Sequence, residues 1–409
     1  MKLFGNGFQP IRTDNKTGNG VQNGRLFTTI ALFAVICMAV YMIGHGGTMR
    51  SQPLEIQGFA FDTTYKISLY QGGDKDLLQD CVSLCSDYEN TISRTVETSE
   101  VAQINALSAK YEELLTDEQL QKIRNKDAQA LKKGECAALE QKLKTALPEA
   151  FEARSCQIGR SGAISFTISE TLQELMKASQ KYREISGGKF DMAIEPVSSL
   201  WSFDSANPTA PKEETIQDKL LYVQNADITL EDQTATFGMP GAGVEFGGIA
   251  KGYIADQIKQ KLVKAGVTSA VIDLGGNILC IGSKNGKSKF HIGIQQPFAD
   301  RNEVIATVDV EDVSVVSSGI YERCFEEDGK FYHHILDLAT GYPVDNDLMA
   351  VTIISKKSVD GDGLSTTCFA LGLEKGMELI DGMDDVTAVF VTKDEKLHYA
   401  KGFKSYLSK

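Results

Sequence analysis

Eighteen consecutive residues without a charge, LFTTIALFAVICMAVYMI from Leu26 to Ile43, constrain this chain more than any other stretch. Only Thr28 and Thr29 are clearly polar, and the run is just long enough to cross a bilayer as a helix. Lys2, Arg12, Lys16 and Arg25 precede it against one acid, Asp14. Basic flanks stay on the cytoplasmic side. Residues 1–25 therefore read as a cytoplasmic tail, 26–43 as a single-pass signal anchor, and the rest as extracytoplasmic. A signal peptide cleaved within Gly44-His45-Gly46-Gly47 competes with this reading. A lipoprotein signal needs a small residue before Cys37, where Ile36 stands. A buried core helix is the plain alternative, and the basic flank and glycine-rich exit speak against it.

Beyond Ile43 the chain carries 38 basic residues against 54 acidic ones, a net charge of −16. Nucleic-acid binding needs a basic surface, so this composition argues against it. With 42% hydrophobic and 24% charged residues the 409-residue chain is globular in character. The eight cysteines include no CxxC pair, which excludes a zinc ribbon or thioredoxin-type motif. Cys81 with Cys85, or Cys136 with Cys156, can pair in an oxidising compartment. Small buried hydrophobes are the simpler reading for most of them.

Residues 44–56 read as a linker and 57–409 as one domain. Gly58–Tyr70 alternates like a strand, and 74–92 carries helical spacing. The stretch 108–155, rich in Lys, Glu, Gln, Ala and Leu, reads as a solvated helical hairpin within an insert spanning about 107–162. Helices are expected over Ser169–Ser186 and Ile249–Ala265, each ended by glycine. Strand patterns then run through SAVIDL, NILCIG, FHIGIQ, EVIATVDV, VSVVSSG, FYHHILDL and AVTIIS. Short helices over Ser365–Leu371 and Lys375–Ile380 and a final hairpin close the chain. Without strict strand–helix alternation, the expected class is α+β, with mixed or antiparallel sheets and packed helices.

Five segments carry chemistry. Gly247-Gly248-Ile249-Ala250-Lys251-Gly252 opens a helix, where backbone can approach an anion and Lys251 can add charge. Asp273-Leu274-Gly275-Gly276-Asn277 supplies a second double-glycine turn. Tyr332-His333-His334 lies on a strand pattern, so only one histidine can face a given site as a general base. No further histidine stands at metal-ligand spacing, so zinc is not written here. Asp360-Gly361-Asp362 opens another helix, with Asp362 and Thr366 four apart on one face. A carboxylate and a hydroxyl beside a backbone carbonyl suit Mg²⁺, although an N-cap aspartate is the plain alternative. Gly188-Lys189-Phe190-Asp191 and the single tryptophan, Trp201, form an aromatic approach; core packing is the plain reading of Phe190 and Trp201.

Order and spacing are more specific than any one piece. SEVAQIN (Ser99–Asn105), SGGKFD with Pro196 and Trp201, EFGGIAKGYIAD (Glu245–Asp256), VIDLGGNI with HIGIQQP, SSGIYER (Ser317–Arg323), HHILDLATGYPV (His333–Val344) and DGLSTT together resemble the ApbE family. The resemblance runs from about Gly58 to Leu373, interrupted by the insert. It implies a fold like that of the family and an enzyme of FAD:protein FMN transferase type. Such an enzyme moves the FMN part of FAD to a Thr or Ser hydroxyl of a target flavoprotein and releases AMP, with Mg²⁺. It further implies metal ligation by the backbone oxygen of Ala250 with Asp362 and Thr366, and a catalytic His334. FAD contacts are implied for Phe61, Lys189, Phe190, Asp191, Gly247, Lys251 and Ile335. Implied partners are exported or membrane-bound flavoprotein subunits with an FMN-binding domain, of the Rnf or Na-translocating NADH:quinone reductase type. The family's Gly-Thr after its first aromatic position reads Asp62-Thr63 here, and its aromatic near SExxxxN reads Thr95. An FAD pyrophosphatase and a non-catalytic FAD-binding protein are the alternatives that the same residues permit, and the insert suggests a docking role.

Overall fold

Alternating side chains on the strands face two different apolar layers, and this decides the architecture. The computed structural model describes residues 52–284, 286–300 and 303–409. The predicted tail and anchor, 1–43, lie outside the described residues, among which no helix is long and apolar enough to cross a membrane.

An eight-stranded sheet forms the centre, and every pairing in it is antiparallel. Its order is Leu54–Ala60, Thr63–Gln71, Ser269–Leu274, Asn277–Ile281, Ser314–Gly319, Leu348–Ser355, Val386–Thr392 and Leu397–Tyr399. On one face Ile67, Leu69, Ile272, Leu279, Val351, Ile353 and Phe390 pack with the helices Lys75–Ile92, Ala250–Lys264 and Ser358–Leu371. On the other face Cys280, Val315, Ile354 and Val389 meet the hairpin strands Phe290–Gln295 and Val304–Val310. Leu348–Ser355 is buried along its whole length because both faces are covered. Each fully buried aliphatic there contributes about 1.5–3 kcal/mol. A smaller four-stranded sheet carries Gln157–Ile158, Ile164–Thr167, Thr234–Phe237 and Thr229–Glu231. The expected α+β class and antiparallel sheets are therefore observed.

Several boundaries differ from the sequence expectation. Gly58–Tyr70 is a hairpin, not one strand: Phe61 and Asp62, at φ of 56° and 57°, turn the chain between two strands. Alternation continues across a two-residue turn, so the pattern concealed it. The expected linker 44–56 overlaps the first strand, which begins at Leu54. The stretch read as a solvated hairpin is a set of helices, Glu100–Leu114, Asp117–Arg124, Lys133–Ala146 and Pro148–Ala153. Leu107, Tyr111, Leu131, Leu139 and Leu143 from it are buried in the main core. An insert starting at 107 would begin inside the Glu100 helix; the long polar side chains hid the apolar stripe. The strand expected over FYHHILDL ends at His333, although the His334 N–H still donates to the Arg323 carbonyl at 3.1 Å, in register with the Cys324–His333 pair. The last long helix begins at Ser358, not at Asp360: the Asp256 carboxylate accepts from the Ser358 and Val359 N–H groups, both at 2.9 Å, and caps it from outside. The seven described cysteines are free, and all but Cys324 are buried.

Candidate active site

Two helices cross where neither has a side chain in the way. A Cβ at Gly252 would stand 2.3 Å from the Ser358 carbonyl oxygen and 2.7 Å from the Asp362 Cβ, so only glycine fits. The closeness lets the Gly252 N–H donate to Asp362 Oδ2 at 2.8 Å. Asp362 is 3% exposed. Burial raises its pKa, against the pull of the Lys251 charge and of the Gly252 and Lys251 backbone N–H groups. Thr366 lies one turn further along the same helix, 3.5 Å from the Ser318 hydroxyl. A Cβ at Gly248 would approach the Phe190 ring to 3.0 Å and Thr366 Oγ1 to 3.2 Å. The structure thus brings together the glycine loop, Ala250 at the head of its helix, Asp362, Thr366 and Phe190.

SEVAQIN, which suggested no role in the sequence, supports this loop. The Asn105 side-chain amide donates to the Val244 carbonyl at 2.9 Å and accepts from its N–H at 2.8 Å. Buried Glu100 accepts from the Ser169 N–H at 2.8 Å and hydroxyl at 2.6 Å, and pairs with Arg154. The loop is thereby pinned to the Glu100 helix before it reaches Gly247, which is exposed.

The two histidines divide their tasks. His333 is 5% exposed, its Nε2 facing the Val344 carbonyl at 3.1 Å and its Nδ1 accepting from the Ile335 N–H at 3.3 Å. Both nitrogens are engaged, so it is structural; burial pushes its pKa down to about 4. His334 uses one nitrogen only, Nδ1, which donates to the Arg323 carbonyl at 3.4 Å. Nε2 keeps its lone pair. Desolvation first, then the charges of His333, Arg323 and Lys251, push the His334 pKa down to about 3, so its imidazole is neutral at physiological pH. The Lys251 charge acts on both groups, lowering the pKa of His334 and of Asp362.

Other expected contacts are already occupied. Lys189 Nζ lies 3.1 and 3.2 Å from the two oxygens of Asp337. Asp191 accepts from Arg183 Nε at 2.6 Å and caps the following turn through the Ala193 N–H at 2.9 Å. Ile335 is buried, with its carbonyl accepting from the Val344 N–H at 2.9 Å. Phe61 is held by its N–H, which donates to Glu89 Oε2 at 2.6 Å. Its neighbour Asp62 lies 3.5 Å from Arg323, whose carbonyl accepts from His334. Gly275 stands against Thr63, two residues after that phenylalanine. Trp201 belongs to an apolar cluster and donates to the Gly341 carbonyl at 3.1 Å, as core packing predicts. Arg323 went unsingled in the sequence, although it ends the SSGIYER segment.

A hard cation fits this donor set. One buried carboxylate, one hydroxyl and one main-chain carbonyl offer oxygen alone, leaving most positions for substrate phosphates and water, which is the habit of Mg²⁺. Among the described residues no group of three His, Cys, Asp or Glu side chains could hold a metal by itself.

Comparison with known proteins identifies the family and the fold. The sequence model of the ApbE family matches residues 118–390. The chain is 36% identical over 239 residues to a FAD:protein FMN transferase of Klebsiella pneumoniae (strain 342), covering 58% of this chain and 74% of that protein. It is 32% identical over 258 residues to the FAD:protein FMN transferase of Treponema pallidum (strain Nichols), covering 59% and 71%. Flavin transferase ApbE from Vibrio cholerae has the same fold, with a TM-score of 0.66 at 21% identity over 87% of this chain and 99% of that one. So has the ApbE protein of Thermotoga maritima, with a TM-score of 0.67 at 23% identity, covering 88% and 100%. With the family's sequence pattern over two-thirds of its length and its fold around the helix crossing, this chain belongs to the ApbE family.

Proposed function

We propose that the chain is a FAD:protein FMN transferase that moves FMN from FAD to a Thr or Ser hydroxyl of a target flavoprotein and releases AMP. The single observation that carries this reading is the helix crossing at Gly252, which sets Asp362 and Thr366 beside the Gly247–Lys251 loop; the Lys251 charge acts on Asp362 and on His334, whose Nε2 is free. Named relatives of the same activity support it.

The residues divide the work as follows. The Gly247–Lys251 loop and the start of the Ala250 helix receive the diphosphate of FAD, whose charge the N–H groups and Lys251 offset. Ala250 through its carbonyl oxygen, Asp362 and Thr366 are the residues that would hold Mg²⁺. The ion supplies neutralisation of the diphosphate charge when bound. The acceptor hydroxyl oxygen forms a bond to the phosphorus of the FMN half, the bond from that phosphorus to the oxygen bridging to AMP breaks, and AMP carries away the bond's electron pair. The hydroxyl proton passes to His334 Nε2. Arg323 fixes the reactive tautomer, because its carbonyl accepts the Nδ1 proton. Phe61, Phe190 and Ile335 form the apolar contacts expected for the flavin and adenosine parts.

The reading also places the catalytic domain outside the cytoplasmic membrane on the 26–43 anchor, with exported or membrane-bound flavoprotein subunits carrying an FMN-binding domain as targets. The uncharged run and its basic flank support this. The test is AMP release from FAD by the full-length protein in detergent, with and without Mg²⁺, in the presence of a Thr-bearing flavoprotein acceptor. Mg²⁺-dependent AMP with flavin fluorescence on the denatured acceptor is expected. AMP accompanied only by free FMN would assign a pyrophosphatase instead, and bound FAD without AMP a binding protein.

A further inference from the structure

Three segments far apart in sequence meet at one guanidinium. Arg323 Nη2 stands 3.5 Å from Asp62 Oδ2, and Nη1 stands 3.7 Å from Asp204 Oδ2. The main-chain carbonyl of the same residue accepts both the His334 backbone N–H, at 3.1 Å, and its ring Nδ1–H, at 3.4 Å. Asp62 follows Phe61 in the tight turn whose other anchor is Glu89. Asp204 follows Phe203, which stacks on Trp201 with ring centroids 5.6 Å apart. Trp201 in turn is hydrogen-bonded to Gly341, in the loop whose Asp337 holds Lys189. Asp62 sits at φ +57°, where glycine would carry no steric penalty. The carboxylate is what aspartate adds at that position.

We propose that Arg323 is a positioning residue, a staple that holds the Phe61–Asp62 turn and the Asp204 loop in fixed register with His334. The proposal rests on the transferase reading, in which Phe61 contacts FAD and His334 accepts the acceptor's proton. A flavin seated against Phe61 and a base on the neighbouring segment must keep a constant separation for attack to be in line. Here one residue ties both: its side chain holds the turn, and its carbonyl holds the imidazole. Both carboxylates are largely exposed, at 60% and 72%. Exposed pairs are individually weak, so each carboxylate is worth about a two- to five-fold change.

The test uses full-length protein in detergent, with steady-state AMP release read against FAD concentration and FAD binding read by quenching of flavin fluorescence. Asp62→Asn and Asp204→Asn are each expected to raise KM and the dissociation constant for FAD about two- to five-fold, with kcat within two-fold. Arg323→Met should give a larger rise and a lower kcat, and Arg323→Lys should restore most of the binding. In the Arg323→Met background Asp62→Asn should add nothing, because its partner is gone. Equal effects of Asp62→Asn in both backgrounds, or no effect of any variant on binding, would overturn the staple. A general loss of folding is read separately by thermal melting, and Arg323→Lys keeps the pair testable if Arg323→Met does not fold. If the wild type binds FAD but releases no AMP, the transferase reading fails, while the fluorescence titration still decides the staple.

Discussion

At the scale of single residues, the site depends on which polar atoms are left without a partner. His333 and His334 are adjacent and chemically identical, yet only His334 retains a free ring nitrogen. Strand geometry alone showed that one of the pair could serve, and the family resemblance pointed to His334; the Val344 and Ile335 contacts show that His333 is fully engaged. Asp362 and Thr366 were legible from their four-residue spacing. Arg323 and Asn105 were not: the Asn105 clamp on Val244 joins residues 139 apart, and such a contact leaves no periodicity to read. Glu195 makes a prediction at this scale. Burial, reinforced by the neighbouring Glu245 charge, pushes its pKa up to about 7 against the offsetting Arg94 and Lys219. A carboxyl raised in the folded state binds more protons there than in the unfolded chain between about pH 4 and 7, so its contribution to stability is lost as pH rises through about 7. Glu195→Gln should therefore raise the melting temperature at pH 8 and leave it nearly unchanged at pH 4. Thermal melting across that range checks this; a larger gain at pH 4 would mean the group is ionised at low pH.

At the scale of elements, the crossing of the Ala250–Lys264 and Ser358–Leu371 helices is the part on which the site stands. Gly252 sets the distance, Asp256 caps the partner helix, and Asp362 closes the contact. Both helices were legible from apolar spacing and flanking glycines. The start of the second was not, since its cap comes from a side chain 102 residues away. The opening hairpin was read as one strand for a related reason: a turn of two residues preserves the alternation on which strand reading depends. Gly252→Ala should destabilise the fold by about 1–3 kcal/mol, because the added methyl meets a backbone carbonyl rather than a side chain that can move. Denaturant unfolding measures this, and a change under 0.5 kcal/mol would show that the helices can separate at little cost.

At the scale of the whole molecule, an acidic chain follows an uncharged N-terminal run. The family pattern was legible because its segments recur in a fixed order. The extent of the insert was not, because its helices place Leu107, Tyr111 and Leu143 in the shared core rather than outside it. On the proposed function, the FMN half of FAD ends on protein and the AMP half in solution, with His334 taking the proton. The most direct measurement is the ratio of AMP released to FMN covalently bound, in wild type and His334→Ala. One AMP is expected for each FMN bound, with a fall of about 10²- to 10⁴-fold in both rates without the imidazole. Wild-type rates of transfer in His334→Ala, or AMP in large excess over bound FMN, would contradict it.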